Sequence, residues 1–106
     1  MVKVARIKNA DGINIGFRSS GHAGYSSNGK DIVCAAVSIL VINTVNSIEM
    51  FTRDKFSCKC DEKSGVIEFM IVSEVSKKSA LLMDSLFLGL KHIEHDYGKR
   101  FISVKA

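Results

Sequence analysis

One apolar segment constrains this chain more than any other feature. Residues 32–42 contain a single polar residue, Ser38. A membrane-spanning helix needs about 20 apolar residues, so we expect no membrane association and assign the segment to a buried helix. With Asp31 as the N-cap, that helix is predicted to run from Ile32 to about Met50. Its first half has almost no polar face, so it must lie at the centre of the core or be covered by a partner.

The remaining segments predict strands and one further helix. Residues 13–18 alternate between apolar and polar types, as a half-buried strand does. The second helix carries apolar residues at helical spacing, namely Met83, Leu86, Leu90, Ile93 and Tyr97. The predicted elements are strands at 2–8 and 13–18, the first helix, strands at 55–60 and 65–72, a helix from Ser73 or Ser76 to about Tyr97, and a strand at 101–105. This β-β-α-β-β-α-β order predicts an α+β fold, with a largely antiparallel sheet packed with two helices.

Length and cysteine content indicate the class of protein. A chain of 106 residues is sufficient for a single domain, 1–106, with one core. Its first residues, Met1–Arg6, lack the apolar core of a signal peptide, so we expect a cytoplasmic protein. Three cysteines in such a chain are expected to be reduced thiols rather than a disulfide framework.

A glycine-rich segment and the helix start after it carry the candidate chemistry. Residues 21–30 hold three glycines and two serines together with His22, and they connect a strand to the predicted helix. Mobile loops on rigid scaffolds are where functional residues tend to lie. If Asp31 caps the helix, Cys34 falls in its first turn, where free amides and the helix dipole favour a thiolate. The first-turn amides, including that of Cys34, would then also face an oxyanion.

A cysteine and a histidine brought together in this way form a nucleophile and its base. Each residue also has an ordinary explanation. A lone cysteine among valines and alanines is usually a small buried hydrophobe. A lone histidine in a loop is usually solvated, and Asp31 is sufficiently explained as a cap. Their conjunction within thirteen residues, from His22 to Cys34, is what favours catalysis.

The same residues resemble the motif of a known family. Gly-His-Ala, followed by Gly-x-Asp-Ile-Val-Cys-Ala-Ala-x-Ser, is similar to the ribosomal-processing cysteine protease family, Prp. Chain length and element order fit that family too, whereas the motif itself is confined to residues 21–38. The matching residues are Gly21, His22, Ala23, Gly29, Asp31, Ile32, Val33, Cys34, Ala35, Ala36 and Ser38.

The resemblance implies a specific function. Cys34 and His22 would be the catalytic pair, with Asp31 in support. The substrate would be the precursor of a large-subunit ribosomal protein, from which a short N-terminal extension is removed. The resemblance also implies a homodimer and a mobile loop after the histidine. We expect no cofactor. The substrate loop would include Gly21, Ala23, Gly24 and Gly29.

Three further features have ordinary interpretations. Ser38 follows Cys34 by one helical turn, and we expect its hydroxyl to bond to the carbonyl of residue 34; a role in holding the cysteine's rotamer is the alternative. Cys58 and Cys60 are two residues apart, whereas structural zinc sites usually have Cys-x2–4-Cys. No metalloprotease motif accompanies His92 and His95, so we expect no metal.

Two other functions remain open from the residues alone. A basic, non-catalytic module that binds ribosomal RNA or a ribosomal subunit would fit the net charge of +4. Such a module should cluster its basic residues beside exposed aromatics. The fifteen lysines and arginines here are scattered along the chain, so we do not expect direct nucleic-acid binding. A thiol redox protein is disfavoured because Cys-x-x-Cys is missing from the sequence.

Overall fold

The computed structural model of the protein describes residues 1–21, 28–61 and 63–106, with the backbone alone for residues 28–31. The predicted order of strands and helices is confirmed. The elements are β1 (Val2–Lys8), β2 (Asn14–Ser20), α1 (Asn28–Phe51), β3 (Phe56–Asp61), β4 (Val66–Ile71), α2 (Lys77–Tyr97) and β5 (Ile102–Lys105).

The five strands form one sheet in the order β3-β4-β2-β1-β5. All neighbouring strands are antiparallel except β1 and β5, which run parallel. Alternate residues point to opposite faces of a strand. Val2 and Val4 of β1 are buried against the helices, whereas Lys3 between them is exposed. Both helices therefore cover one face of the sheet and leave the other face open.

Aromatic rings fill the core beneath the helices. Phe17 of β2 is directly opposite Phe69 of β4, and their ring centroids are 5.1 Å apart in a stacked arrangement. Phe56 of β3 extends this row, with its centroid 5.0 Å from that of Phe69. Phe17 and Phe69 are fully buried. Burial of each such ring contributes about 1.5–3 kcal/mol, so the register of these strands is strongly determined.

Helix α1 begins earlier than predicted. Its first residue is Asn28, and Asp31 lies within its first turn, so the prediction that Asp31 is the N-cap is wrong. Gly29 costs about 1 kcal/mol relative to alanine inside a helix. Each residue added to an existing helix gains one backbone hydrogen bond, and the long apolar segment that follows supports this extension. Cys34 is consequently the seventh helical residue, in the second turn.

Helix α2 has the expected ends. Ser76, one of the two predicted caps, occupies the N-cap and accepts a hydrogen bond from the Ser79 N–H at 3.1 Å. Gly98 ends the helix with φ of 100°, a conformation that favours glycine. The inward face differs from the predicted one at its last turn, because Tyr97 is exposed and Glu94 is buried.

Glu94 is buried because it joins α2 to the edge strand β5. Its Oε2 accepts a hydrogen bond from the Val104 N–H at 2.8 Å. Lys91 Nζ donates to the Val104 carbonyl at 3.0 Å and to Glu94 Oε1 at 3.4 Å. The hydrogen bond from Val104 lowers the pKa of Glu94 below its ordinary value, although burial opposes this shift.

We expect Glu94→Gln to make unfolding less sensitive to acid. A lowered pKa stabilises the fold above the ordinary value of 4.5, and this contribution is lost as pH falls through the pKa of the folded state. At neutral pH, the free energy of unfolding of the variant should be about 1–3 kcal/mol lower than that of the wild type. Between about pH 5 and pH 3, it should then fall less than that of the wild type. Thermal unfolding across this range is the measurement. Glu49→Gln, at an exposed position of α1, is the control. Equal acid sensitivity of all three proteins would contradict the assignment.

The outward side of α1 is apolar. Val33, Val37 and Val41 face the core, but the opposite side exposes a row of isoleucines. By length and composition alone, residues 32–51 of α1 also suit a membrane span, as core helices of soluble proteins can. We call the outward row the α1 stripe; it consists of Ile32, Ile39 and Ile42, with exposed fractions of 51%, 68% and 54%.

Candidate active site

Cys34 lies in the second turn of α1, where the helix crosses the end of the sheet. It is half-buried, between the buried Val33 and Val37 on one side and the exposed Ala35 on the other. Its backbone N–H lies beyond the four N-terminal amides that a helix leaves free. The dipole effect falls off within the first turn. The predicted use of the Cys34 amide as an oxyanion donor is therefore wrong, since that amide belongs to the helical hydrogen-bond ladder.

The thiol of Cys34 borders a small cleft of about 40 Å³. Both β2 and the first half of α1 contribute to it, so it lies on the helix-covered face of the sheet. The cleft is mainly apolar, with two serine hydroxyls and one thiol. Its lining residues are Val2, Ser19, Gly21, Cys34, Val37, Ser38, Val41, Gly65 and Ile67. Three of the predicted site residues, Gly21, Cys34 and Ser38, are thus brought together.

Gly21 directs the chain out of β2 beside this cleft. Its φ is +98°, a region that side chains rarely adopt. A Cβ at this position would overlap the carbonyl oxygen of Met1. Only glycine satisfies both requirements, so Gly21 sets the direction in which the next residue begins.

The other predicted site residues are described only in part or not at all. His22, Ala23 and Gly24 lie outside the described residues. The predicted mobility of the loop after the histidine lies outside them as well. Gly29 and Asp31 belong to the first turn of α1, and Asp31 precedes Cys34 by just under one helical turn.

Ser38 lines the cleft without the predicted hydrogen bond. Thr44 and Thr52 each donate a hydroxyl proton to the carbonyl four residues earlier, at 2.7 and 2.8 Å. In the described part of the chain, the Ser38 hydroxyl makes no such bond to the carbonyl of residue 34. The reason is its position: Ser38 is half-buried at the cleft, where its hydroxyl can face the cavity. It is therefore a candidate donor to a bound ligand.

Sequence reasoning missed the contribution of the sheet. Ser19 is only 7% exposed and faces the helices beside Phe17 in β2. A polar residue at an inward-facing strand position was the available signal. Ile67 of β4 is paired with Ser19, and Gly65 lies in the turn just before β4, so the pairing of β2 with β4 brings both residues to the cleft beside Cys34.

The other two cysteines lie outside the cleft. Cys58 and Cys60 are exposed on the edge strand β3. Burial raises the pKa of the Cys58 thiol, and the neighbouring Cys60 raises it further. His92 and His95 are exposed on α2. Among the described residues, no three side chains of the metal-binding types converge.

Comparison with known proteins extends over nearly the whole chain. The family model of the cysteine protease Prp matches residues 1–102. The ribosomal processing cysteine protease Prp of Bacillus subtilis is 29% identical over 87 residues, which is 78% of either chain. The enzyme of the same name from Staphylococcus aureus is 28% identical over 79 residues, or 74% of either chain.

Solved structures agree with this result. The crystal structure of S. aureus Prp with a substrate peptide superposes with a TM-score of 0.88 at 25% identity, covering 99% of this chain and 98% of that one. The same enzyme with a covalently linked product peptide gives a TM-score of 0.85 at 26% identity and the same coverage. A cleft bordered by a cysteine, the element order and the match across residues 1–102 lead to one conclusion: the chain belongs to the cysteine protease Prp family.

Proposed function

We propose that this cysteine protease uses Cys34 as nucleophile and His22 as base to remove a short N-terminal extension from a large-subunit ribosomal protein. The observation that carries the proposal is the shared cleft: Cys34 and Gly21 line the same cavity, and Gly21 directly precedes His22 in the chain. Consecutive Cα atoms are about 3.8 Å apart. The proposed base is therefore covalently attached to a residue that lines the cleft.

The position of Cys34 in α1 makes the proposed histidine base more important to thiolate formation than the helix start. Cys34 is seven residues into α1, so the helix start contributes little to thiolate formation. Among the described residues, no titratable side chain other than Cys34 itself lines the cleft, which favours the His22 imidazole as the activating base. Asp31, less than one turn before Cys34, supports this pair from the helix.

The reaction then follows the chemistry of a thiol protease. His22 accepts the Cys34 proton, and the sulfur adds to the carbonyl carbon of the scissile bond. Ser19 and Ser38 offer hydroxyl donors to the oxyanion in the cleft. The carbon–nitrogen bond breaks as His22 returns the proton to the leaving amine, and water then hydrolyses the thioester. This mechanism requires no cofactor.

Selective alkylation tests the pair. We expect iodoacetamide at about pH 6, where ordinary thiols are almost inert, to label Cys34 at least about tenfold faster than Cys58 or Cys60. His22→Ala should slow the labelling of Cys34 alone. Peptide mapping by mass spectrometry gives the three rates. His92→Ala removes an exposed histidine on α2 and is the matched control. Equal rates at all three thiols, or no effect of His22→Ala, would refute the assignment.

The same enzyme is proposed to act as a cytoplasmic homodimer. The α1 stripe supports the second copy as the partner, because three exposed isoleucines on one helix side form an apolar surface that water solvates poorly. A symmetric pair of α1 helices would bury the stripe of each protomer against that of the other.

We expect Ile39→Glu to convert the dimer to a monomer. Ile39 is the most exposed member of the α1 stripe, and dimerisation would bury the introduced carboxylate at a cost of several kcal/mol. Light scattering coupled to gel filtration measures the mass. Ile13→Glu makes the same change at an isoleucine that is 50% exposed in the β1–β2 turn, so it should leave the dimer intact. A wild-type protein that is monomeric at micromolar concentration would contradict the proposal.

A further inference from the structure

The sheet face without helices carries an ordered set of cations. Ala5 of β1 pairs with Arg18 of β2 on one side and with Lys105 of β5 on the other. Neighbouring strands are about 4.8 Å apart. The backbones of Arg18 and Lys105 therefore lie about 10 Å apart, with a methyl group between them.

The next row of the sheet continues the arrangement. Lys3 of β1 pairs with Ser20 of β2 and with Ser103 of β5. Lys3, Arg18 and Lys105 thus each have a small residue beside them within β1, β2 and β5, and the gaps form a groove of about 420 Å³. Lys99, from the turn between α2 and β5, also lines this groove. We call this surface the basic face; its polar members are Lys3, Arg18, Ser20, Lys99, Ser103 and Lys105.

Few carboxylates neutralise the basic face. Arg18 and Glu68 form a surface ion pair at 3.6 Å, and exposed pairs of this kind are weak. Across residues 1–21, 28–61 and 63–106, no carboxylate lies within ion-pair distance of Lys3, Lys99 or Lys105. Lys99 interacts electrostatically with Glu94 without forming an ion pair, and the ammonium groups of Lys3 and Lys105 are the ones most available to an anionic partner.

We infer that the basic face binds the sugar-phosphate backbone of RNA. Cations alternating with serine hydroxyls are donors that suit successive phosphates, and the groove is lined by residues of β1, β2 and β5. No aromatic ring belongs to the groove lining among the described residues, so base stacking is not available there. Binding should be independent of sequence and strongly dependent on salt. An RNA partner also suits a family whose relatives are named for ribosomal processing.

This inference goes beyond the proposed function and concerns the opposite side of the sheet. The Cys34 cleft lies on the helix-covered face, whose strand residues include Ser19 and Ile67. RNA binding should therefore be the same for the wild type and for Cys34→Ser. Loss of the catalytic assignment would leave the basic face untouched, and the two proposals can fail separately.

The test compares two double variants that remove the same charge. Lys3→Ala with Lys105→Ala removes two cations from the basic face, and Lys77→Ala with Lys78→Ala removes two exposed lysines at the start of α2. Fluorescence anisotropy with a labelled, unstructured RNA of about 20 nucleotides gives Kd at several salt concentrations. The first variant should bind at least about tenfold more weakly, and its slope of log affinity against log salt should fall by about 1.4. The second should stay within about twofold of the wild type, because non-contacting charges act only through the screened field.

A second variant keeps every cation. Ala5→Glu introduces a carboxylate between Arg18 and Lys105, so it should also weaken binding at least about tenfold. Cleavage of a substrate peptide by each variant verifies that the fold is intact. Failure of the wild type to bind RNA at about 50 mM salt, or equal losses in both double variants, would overturn the inference. Competition by an acidic peptide as strong as that of RNA would also overturn it, since the partner would then be a protein.

Discussion

Cys34→Ser is expected to lower kcat/KM for peptide cleavage at least about a thousandfold while leaving the fold intact. A serine hydroxyl is a far weaker nucleophile than a thiol at neutral pH unless a base activates it strongly. The side chain is half-buried at a cleft, so the nearly isosteric change should cost about 1 kcal/mol or less. The measurement combines steady-state cleavage with urea unfolding of the same preparation.

Cys58→Ser provides the matched control for that experiment. It makes the same chemical change at an exposed thiol of β3, away from the cleft, and should retain full activity. Cleavage by Cys34→Ser within about tenfold of the wild type would exclude Cys34 as the nucleophile. Unfolding of Cys34→Ser would instead identify Cys34 as a core residue.

Gly21→Ala is expected to have the second largest effect, on both activity and stability. The positive φ of Gly21 would cost an alanine about 1–3 kcal/mol. The added Cβ would also overlap the Met1 carbonyl oxygen, so the start of β1 or the exit from β2 must shift. Because His22 follows directly, a displacement of about 1 Å should lower kcat/KM by about a hundredfold.

Gly12→Ala separates these two causes. Gly12 also has a positive φ, 78°, but a Cβ there would meet no atom within 4 Å. Gly12→Ala should lose about as much stability as the backbone strain costs in Gly21→Ala. It should keep wild-type activity. Thermal unfolding and kcat/KM of both variants are the measurements. If Gly21→Ala were as active as Gly12→Ala, the position of Gly21 would not determine that of the catalytic base.

Local patterns predicted most of the secondary structure. The alternation of apolar and polar residues in β2 and the helical spacing of apolar residues in α2 each involve residues close in the chain. Both patterns can therefore be recognised in a single sequence. The N-cap Ser76 and the end of α2 near Tyr97 were predicted for the same reason. The start of α1 was not, because Gly29 and Asp31 both favour a boundary locally, whereas the apolar residues beyond them favour extending the helix.

The candidate site was predicted only where it lies within one segment. The motif around Cys34 is contiguous, and so its resemblance to the Prp family could be recognised. Ser19 and Ile67 come from two strands far apart in the chain, and Gly65 comes from the turn just before β4; only the pairing of β2 with β4 brings them to the cleft. The position of Glu94 was also missed, because the Val104 N–H that makes its burial favourable belongs to another element.

The amino-acid sequence by itself therefore determined the order of elements, the α+β class and the segment that carries the thiol. Only the tertiary structure decided what surrounds that thiol and where the basic residues gather. Lys3, Arg18 and Lys105 are separated by up to about a hundred residues and look scattered along the chain. In the sheet they occupy adjacent rows of three neighbouring strands, because β1 pairs with β2 and β5 at once. The distance between these basic side chains depends on the register of the strands. That register is set by the burial of apolar residues on the helix-covered face of the sheet.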